Sequence, residues 1–167
     1  STPTNKVITA VAAPNATITT AKTTVTTGTT GLTASVPSQS GCTYTWTVTG
    51  GTLTTGQGTR AITWTGGALG VATLKCVVRN AAGTTATGNQ PITVIAKPVA
   101  TITTDSVINA GISDIPVYVP DQVGCHYAWS LVAGTSTESA INAMDGHETN
   151  FEAGTAGTAT LKCVVTN

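Results

Sequence analysis

Charge is scarce in this chain: Asp, Glu, Lys and Arg together make up 8% of its 167 residues. The cations of its first half are few, scattered and not interleaved with an aromatic platform, so nucleic acid is not an expected partner. Aromatic residues are scarcer still, at 4%. Two of the three tryptophans fall at expected core positions, which leaves no exposed stripe to stack on sugars and argues against a carbohydrate-associated accessory domain. Long apolar runs are missing as well. Gly, Thr or a charge interrupts each one within a few residues, and no membrane span is expected. The opening "STPTNK" has neither a Met nor the apolar core of a signal peptide, which suits a mature terminus left by cleavage and equally a trimmed one.

What remains is a Thr- and Val-rich chain with 18 Gly and 7 Pro. Segments such as "TYTWTVT", "RAITWT", "VATLKCVV" and "QPITVIA" alternate apolar and polar residues between Gly and Pro breaks, the pattern of half-buried strands. The expected class is all-β. Cys42, Tyr44 and Trp46 share one face of a strand, and Leu74, Cys76 and Val78 share one face of another, because side chains alternate. Turned inward, these sets supply a core and bring Cys42 near Cys76. The later set Cys125, Tyr127 and Trp129 stands in the same relation to Leu161, Cys163 and Val165. Two disulfides, Cys42–Cys76 and Cys125–Cys163, are therefore expected, each worth roughly 2–4 kcal/mol. Their spacing does not fit the short CxxC pairs of zinc sites, and paired cysteines point to an oxidising, extracellular compartment.

Internal repetition sets the organisation. "VPSQSGCTYTW" from Val36 recurs as "VPDQVGCHYAW" from Val119, an offset of 83, and "WTGGALGVATLKCVVRN" from Trp64 recurs as "FEAGTAGTATLKCVVTN" from Phe151, an offset of 87. The chain thus holds two copies of one unit, the second with extra residues between Ser130 and Asn150. A third match joins the start of the chain to the junction of the copies: "ITAVAAPNATITTA" from Ile8 and "ITVIAKPVATITTD" from Ile92 share 9 of 14 residues.

The stretch "CTYTWTVTGGTLTTGQGTRAITWTGG", followed by "LKCVVRNAAGT", resembles the PKD-like and immunoglobulin-like modules of bacterial surface proteins, with their Y-x-W strand, GG turn and GQGT loop. The resemblance covers most of the first copy. In the second, "SLVAGTSTESAINAMDGHE" replaces the GG and GQGT elements. It implies two tandem immunoglobulin-like (PKD-like) β-sandwiches of about seven strands each, in which a last strand, G, follows strand F. The first copy has that strand in "PITVIA". The second has no residues for it after "LKCVVTN", so its expected sandwich lacks G.

A sandwich without G exposes the edge of F and a slot in its core. The segment "KVITAVAAPNATITT", meanwhile, begins with a G-like strand that has no domain before it. The expected organisation is a donor strand in 1–12, a complete domain in 13–96 and an incomplete one in 97–167. Lys6, Val7, Ile8, Thr9, Ala10 and Val11 of one molecule would fill the groove bounded by Leu161, Cys163, Val165 and Trp129 of the next. The donor runs almost directly into the first strand of its own domain, which argues against closure within one chain. Head-to-tail contact of this kind builds a filament of identical subunits, a homopolymer at the cell surface that meets host or neighbouring cells. The alternative is a piece of a tandem-repeat surface adhesin whose missing strand continues in the same polypeptide.

Charge is segregated in the same sense. Lys6, Lys22, Arg60, Lys75 and Arg79 give +5 through Ala96, while Lys97 and Lys162 against Asp105, Asp114, Asp121, Glu138, Asp145, Glu148 and Glu152 give −5 beyond it. Opposite charges steer encounter and fix polarity, and salt weakens them. Other chemistry is sparse. Asp145, His147, Glu148 and Glu152 match neither EF-hand nor zinc spacing, and a solvated loop is expected there, with no metal or cofactor. His126 is expected to face outward. Gly56-Gln57-Gly58 lacks the Lys of a phosphate loop and reads as a turn. Nothing among these residues supports an enzyme. Asn15 in "NAT" is a glycosylation sequon.

Overall fold

The computed structural model describes residues 4–137, 139–142 and 145–167. The first three residues of the expected donor segment, and Glu138 of the seven acids, lie outside the described residues. The chain divides into two compact units, Ser1–Lys97 and Pro98–Asn167. Every regular element among the described residues is a strand, so the all-β expectation holds.

In the first unit the strands are β1 (Thr19–Thr20), β2 (Thr24–Thr26), β3 (Leu32–Ser35), β4 (Thr43–Thr49), β5 (Gly51–Thr55), β6 (Ala61–Gly66), β7 (Gly70–Arg79) and β8 (Thr85–Ile95). They form two four-stranded sheets, in the orders β1-β3-β6-β5 and β2-β8-β7-β4. Alternation decides what is buried. Trp46 on β4, Ile62 and Trp64 on β6, Ala72, Leu74, Cys76 and Val78 on β7, and Ile92 and Val94 on β8 fill the space between the sheets. At the GG turn between β4 and β5, Gly50 has φ +72°, and a Cβ there would lie 2.8 Å from the Val71 carbonyl oxygen, so only glycine fits.

Strand β8 occupies the G position expected for "PITVIA", but it starts earlier, at Thr85. Asn80 explains this. Its N–H and side-chain oxygen both bond to Thr84, at 3.0 and 2.9 Å, and close the β7–β8 connection at once. Pairing then runs unbroken from Arg79–Thr85 to Gly70–Val94. The other edge of β8 pairs in parallel with β2, placing Val25 opposite Val94. The final strand is thus held on both sides.

The second unit contains β9 (Ile115–Tyr118), β10 (His126–Gly134), β11 (Ala140–Ile141), β12 (Glu148–Glu152) and β13 (Ala159–Thr166). By the repeat, β9, β10, β12 and β13 correspond to β3, β4, β6 and β7. One sheet has the order β11-β12-β9, extended by an isolated bridge between Thr103 and Tyr118. The other consists of β10 and β13 alone. Tyr127, Trp129, Phe151 and Cys163 join Ile115, Val117 and Val119 in its core. Strands corresponding to β2 and β8 are absent among the described residues.

Candidate functional site

The repeated V-P-x-Q-x-G-C-x-Y-x-W motif has a structural job that its residue types alone do not announce. Gln39 accepts the Asn15 N–H at 2.6 Å and donates to the Asn15 carbonyl at 2.7 Å, while Tyr44 Oη accepts the Gln39 N–H at 3.1 Å. In the second unit Gln122 grips both backbone groups of Val99 at 2.8 and 2.7 Å, and Tyr127 Oη accepts the Gln122 N–H at 2.6 Å. The glutamine amide therefore stands in for a neighbouring strand, and the tyrosine fixes the glutamine. These two clamps account for the invariant Gln and Tyr of the two copies.

The expected disulfides are corrected by strand register. All four cysteines are free thiols. Trp46 stands opposite Cys76 and Trp129 opposite Cys163, so Cys42 and Cys125, just before β4 and β10, lie four residues away from that register. At ~3.3 Å per residue that is about 13 Å, beyond the span that a disulfide bridges. Burial pushes the Cys76 thiol up to about 11, against a smaller opposing effect of a backbone hydrogen bond from Thr45. Burial also raises Cys163. Both behave as small apolar core residues.

The site itself emerges from comparing β7 with β13. In β7, Ala72, Leu74, Cys76 and Val78 are all 0% exposed, packed between the sheets with β8 paired alongside. Their counterparts in β13 are Ala159, which is exposed, Leu161 and Val165, which are half-buried, and Cys163. Beside β13 lies an open cleft of about 690 Å³, whose lining includes Leu161, Ala159 and Gly157, Val107 and Ile108, and Phe151. Of the four residues expected to bound the groove, Leu161 lines it. Trp129 and Cys163 are core neighbours, and Val165 packs against that core.

The expected donor residues show the converse. Val7 is 90% and Ile8 85% exposed, and residues 4–18 belong to no strand. Their freedom ends at a defined point. Asn80 Nδ2 donates to the Ala12 carbonyl at 2.8 Å, and the Gln39 clamp takes hold three residues later. Lys6, Val7, Ile8, Thr9, Ala10 and Val11 therefore form an apolar-rich, exposed segment that belongs to no strand and is hydrogen-bonded at its root.

The remaining candidates have structural roles. Gln57 of the GQGT turn accepts the Trp46 N–H at 2.8 Å and donates to the Trp46 carbonyl at 2.9 Å, sealing part of the edge of β4. Trp46 Nε1 donates to Thr59 at 2.9 Å. In the second unit Trp129 Nε1 donates to Gly146 at 2.9 Å, so the inserted segment takes over that task. His147 lies 3.3 Å from Glu148 and 3.9 Å from Asp121. Glu152 instead accepts a hydrogen bond from Asn142 at 2.9 Å. Among the described residues no group of three metal-ligating side chains forms. His126 faces outward, as expected. No helix among the described residues is long and apolar enough to cross a membrane.

Comparison with known proteins bears on the fold. No curated protein matches the sequence. Among solved structures, the extracellular cadherin domains 3–6 of protocadherin gamma B2 align over 89% of this chain and 46% of theirs, at 8% identity and a TM-score of 0.41. The Yersinia pseudotuberculosis adhesin InvE aligns over 89% and 55%, at 22% identity and 0.34. A Bacteroides ovatus protein, SGBP-B of a mixed-linkage glucan utilization locus, solved with a mixed-linkage heptasaccharide, aligns over 99% and 45%, at 16% identity and 0.35. The chain spans about half the length of each. The family model of the PKD-like domain matches residues 11–94, which is β1 through most of β8. The chain therefore belongs to the PKD-like domain family.

Proposed function

We propose that this protein is a structural subunit of an extracellular filament, in which Lys6–Val11 of one molecule inserts beside β13 of the next and supplies its missing final strand. One observation carries the reading: the second unit leaves open the position that β8 fills in the first, while a segment that the internal repeat aligns with β8 stands exposed. Burying Ile8 as Ile92 is buried contributes about 1.5–3 kcal/mol. Each added backbone hydrogen bond contributes about 0.5–1.5 kcal/mol before association costs. The +5 and −5 halves favour head-to-tail order over head-to-head. Localisation at the cell surface rests on the family and on this assembly, since the compartment argument from paired cysteines falls with the disulfides.

The test is the intact mass of native material under reducing, denaturing conditions, beside negative-stain microscopy of the same sample. A species near 16.6 kDa that is filamentous when native, and monomeric once residues 1–11 are deleted, is the expected outcome. A covalent species several-fold larger overturns the reading and makes these residues one repeat of a tandem surface adhesin.

A further inference from the structure

The parallel partner of β8 has its own counterpart in the second unit. Gly28 and Gly31 follow β2 with φ +71° and +70°, and Gly111 and Asp114 repeat these angles at +73° and +58°. Counting back from them, Val107, Ile108 and Asn109 stand where Thr24, Val25 and Thr26 form β2. They form no strand. Val25 is 5% exposed, whereas Ile108 is 36% exposed and faces the cleft. One wall of the cleft is thus a strand sequence without a partner.

The side chains on either side of the empty position differ from those of the first unit in a compensating way. In the first unit Val94 meets Val25 across the β8–β2 pair. The corresponding residues are Ala10 on the donor and Ile108 on the wall: one smaller, the other larger. On the opposite edge Val94 pairs with Gly70 and Ile92 with Ala72, and the repeat supplies Gly157 for Ala10 and Ala159 for Ile8. The charges also match. Among the described residues, Asp105 is the one charged residue lining the cleft, and Lys6 is the one charged residue of positions 6–11.

We propose that the donor strand of a second copy docks in a single register, with Ala10 between Gly157 and Ile108 and Ile8 over Ala159, and that Val107–Asn109 then becomes a strand parallel to it. The inference rests on the donor-strand reading above and adds its specificity determinant: residue 10 must be small because residue 108 is large. A β8-like segment with Val at that position overfills the site. This keeps the donor apart from the chain's own β8 sequence, which suits Val25 instead.

The experiment uses the full chain lacking residues 1–11 as acceptor and a fluorescent peptide of residues 1–14 as probe. On the unaltered acceptor, the Ala10→Val peptide is expected to bind about tenfold more weakly than the native one. On an Ile108→Val acceptor that order reverses. Hydrogen exchange at residues 107–109 slows when the native peptide binds. Tight binding of both peptides to both acceptors without protection at 107–109 overturns the register while leaving the donor-strand reading intact. Failure of the native peptide to bind overturns both. The same substitutions in the full chain guard against misfolding of the truncated acceptor. Filaments of Ala10→Val are expected to dissociate at lower temperature than native ones, and filaments of Ala10→Val/Ile108→Val to regain native behaviour. Independent effects of the two changes again reject the register.

Discussion

The two units share the Cys-x-Tyr-x-Trp and Leu-Lys-Cys strands, yet the inner row is sealed in the first and partly open in the second, where counterparts of both β8 and β2 are absent among the described residues. β7 and β13 share "LKCVV" and face their cores with the same residue types. In the first unit the whole inner row of β7 is sealed, while in the second Ala159 is exposed and Leu161 half-buried. The same residue types therefore differ in burial with what surrounds them. An apolar inner row left open is a liability in a soluble monomer and a docking surface in an assembly.

The most drastic way to break the contrast is to give the second unit its own final strand. Appending a short turn and residues 1–11 after Asn167 is expected to abolish assembly altogether, read by microscopy or sedimentation. It is also expected to raise the melting temperature of the second unit toward that of the first, by calorimetry. Next in size is a matched pair of truncations. Ile92→Ala in β8 should destabilise the first unit by about 2–5 kcal/mol in denaturant titration. Ile8→Ala should leave the isolated subunit within about 0.5 kcal/mol of native, yet weaken its polymer. Equal effects of the two on the monomer would remove the distinction between an internal strand and a donated one.

Alkaline pH offers a third probe. The Cys76 thiol rises from 9.0 to about 11 in the folded state, so folded and unfolded chains are both protonated below pH 9 and stability is complete there. Between pH 9 and 11 only the unfolded chain ionises, and the first unit should lose about 2–3 kcal/mol. Cys76→Ala should remove that slope from the pH dependence of unfolding. The smallest effect concerns two tryptophans. Trp46 donates to Thr59, whereas the buried Trp64 Nε1 has no hydrogen-bond partner, and Phe151 occupies its position in the second unit. Trp46→Phe should destabilise by about 1–3 kcal/mol, since it loses indole packing together with the hydrogen bond to the Thr59 carbonyl. Trp64→Phe should stay within about 1 kcal/mol of native in the same titration, losing packing but relieving an orphaned donor.

Alternation and repetition made the strands and their inward residues legible from residue types alone. Alternation reports which face a side chain occupies but not which residue lies opposite, and Cys42 and Cys76 show the limit. They share the inward phase but stand four positions apart in register. The length of β8 was hidden for a related reason. "TTATGNQ" has the composition of a loop, and only the Asn80 turn forces it into pairing. The glutamine clamps were present as conserved spacing between the copies, but their hydrogen bonds run to backbone 24 and 23 residues away, where side-chain type gives no signal. Trp129, Cys163 and Val165 were assigned to the groove because they share a face with Leu161. The cleft opens at the other end of that strand, beside Ala159 and Gly157.

The anchorage of Ala12 by Asn80 has a mechanical side. In a polymer joined by donated strands, tension along the fibre would reach the joint at this root and draw the inserted segment lengthwise along β13. Ladder hydrogen bonds lie across an antiparallel pair, so such a pull strains them together in shear, whereas a sideways pull would part them one after another. In such a polymer, a strand gripped at its exit would be a coupling suited to load along the fibre, its first hold the Asn80 amide and its second the Gln39 clamp.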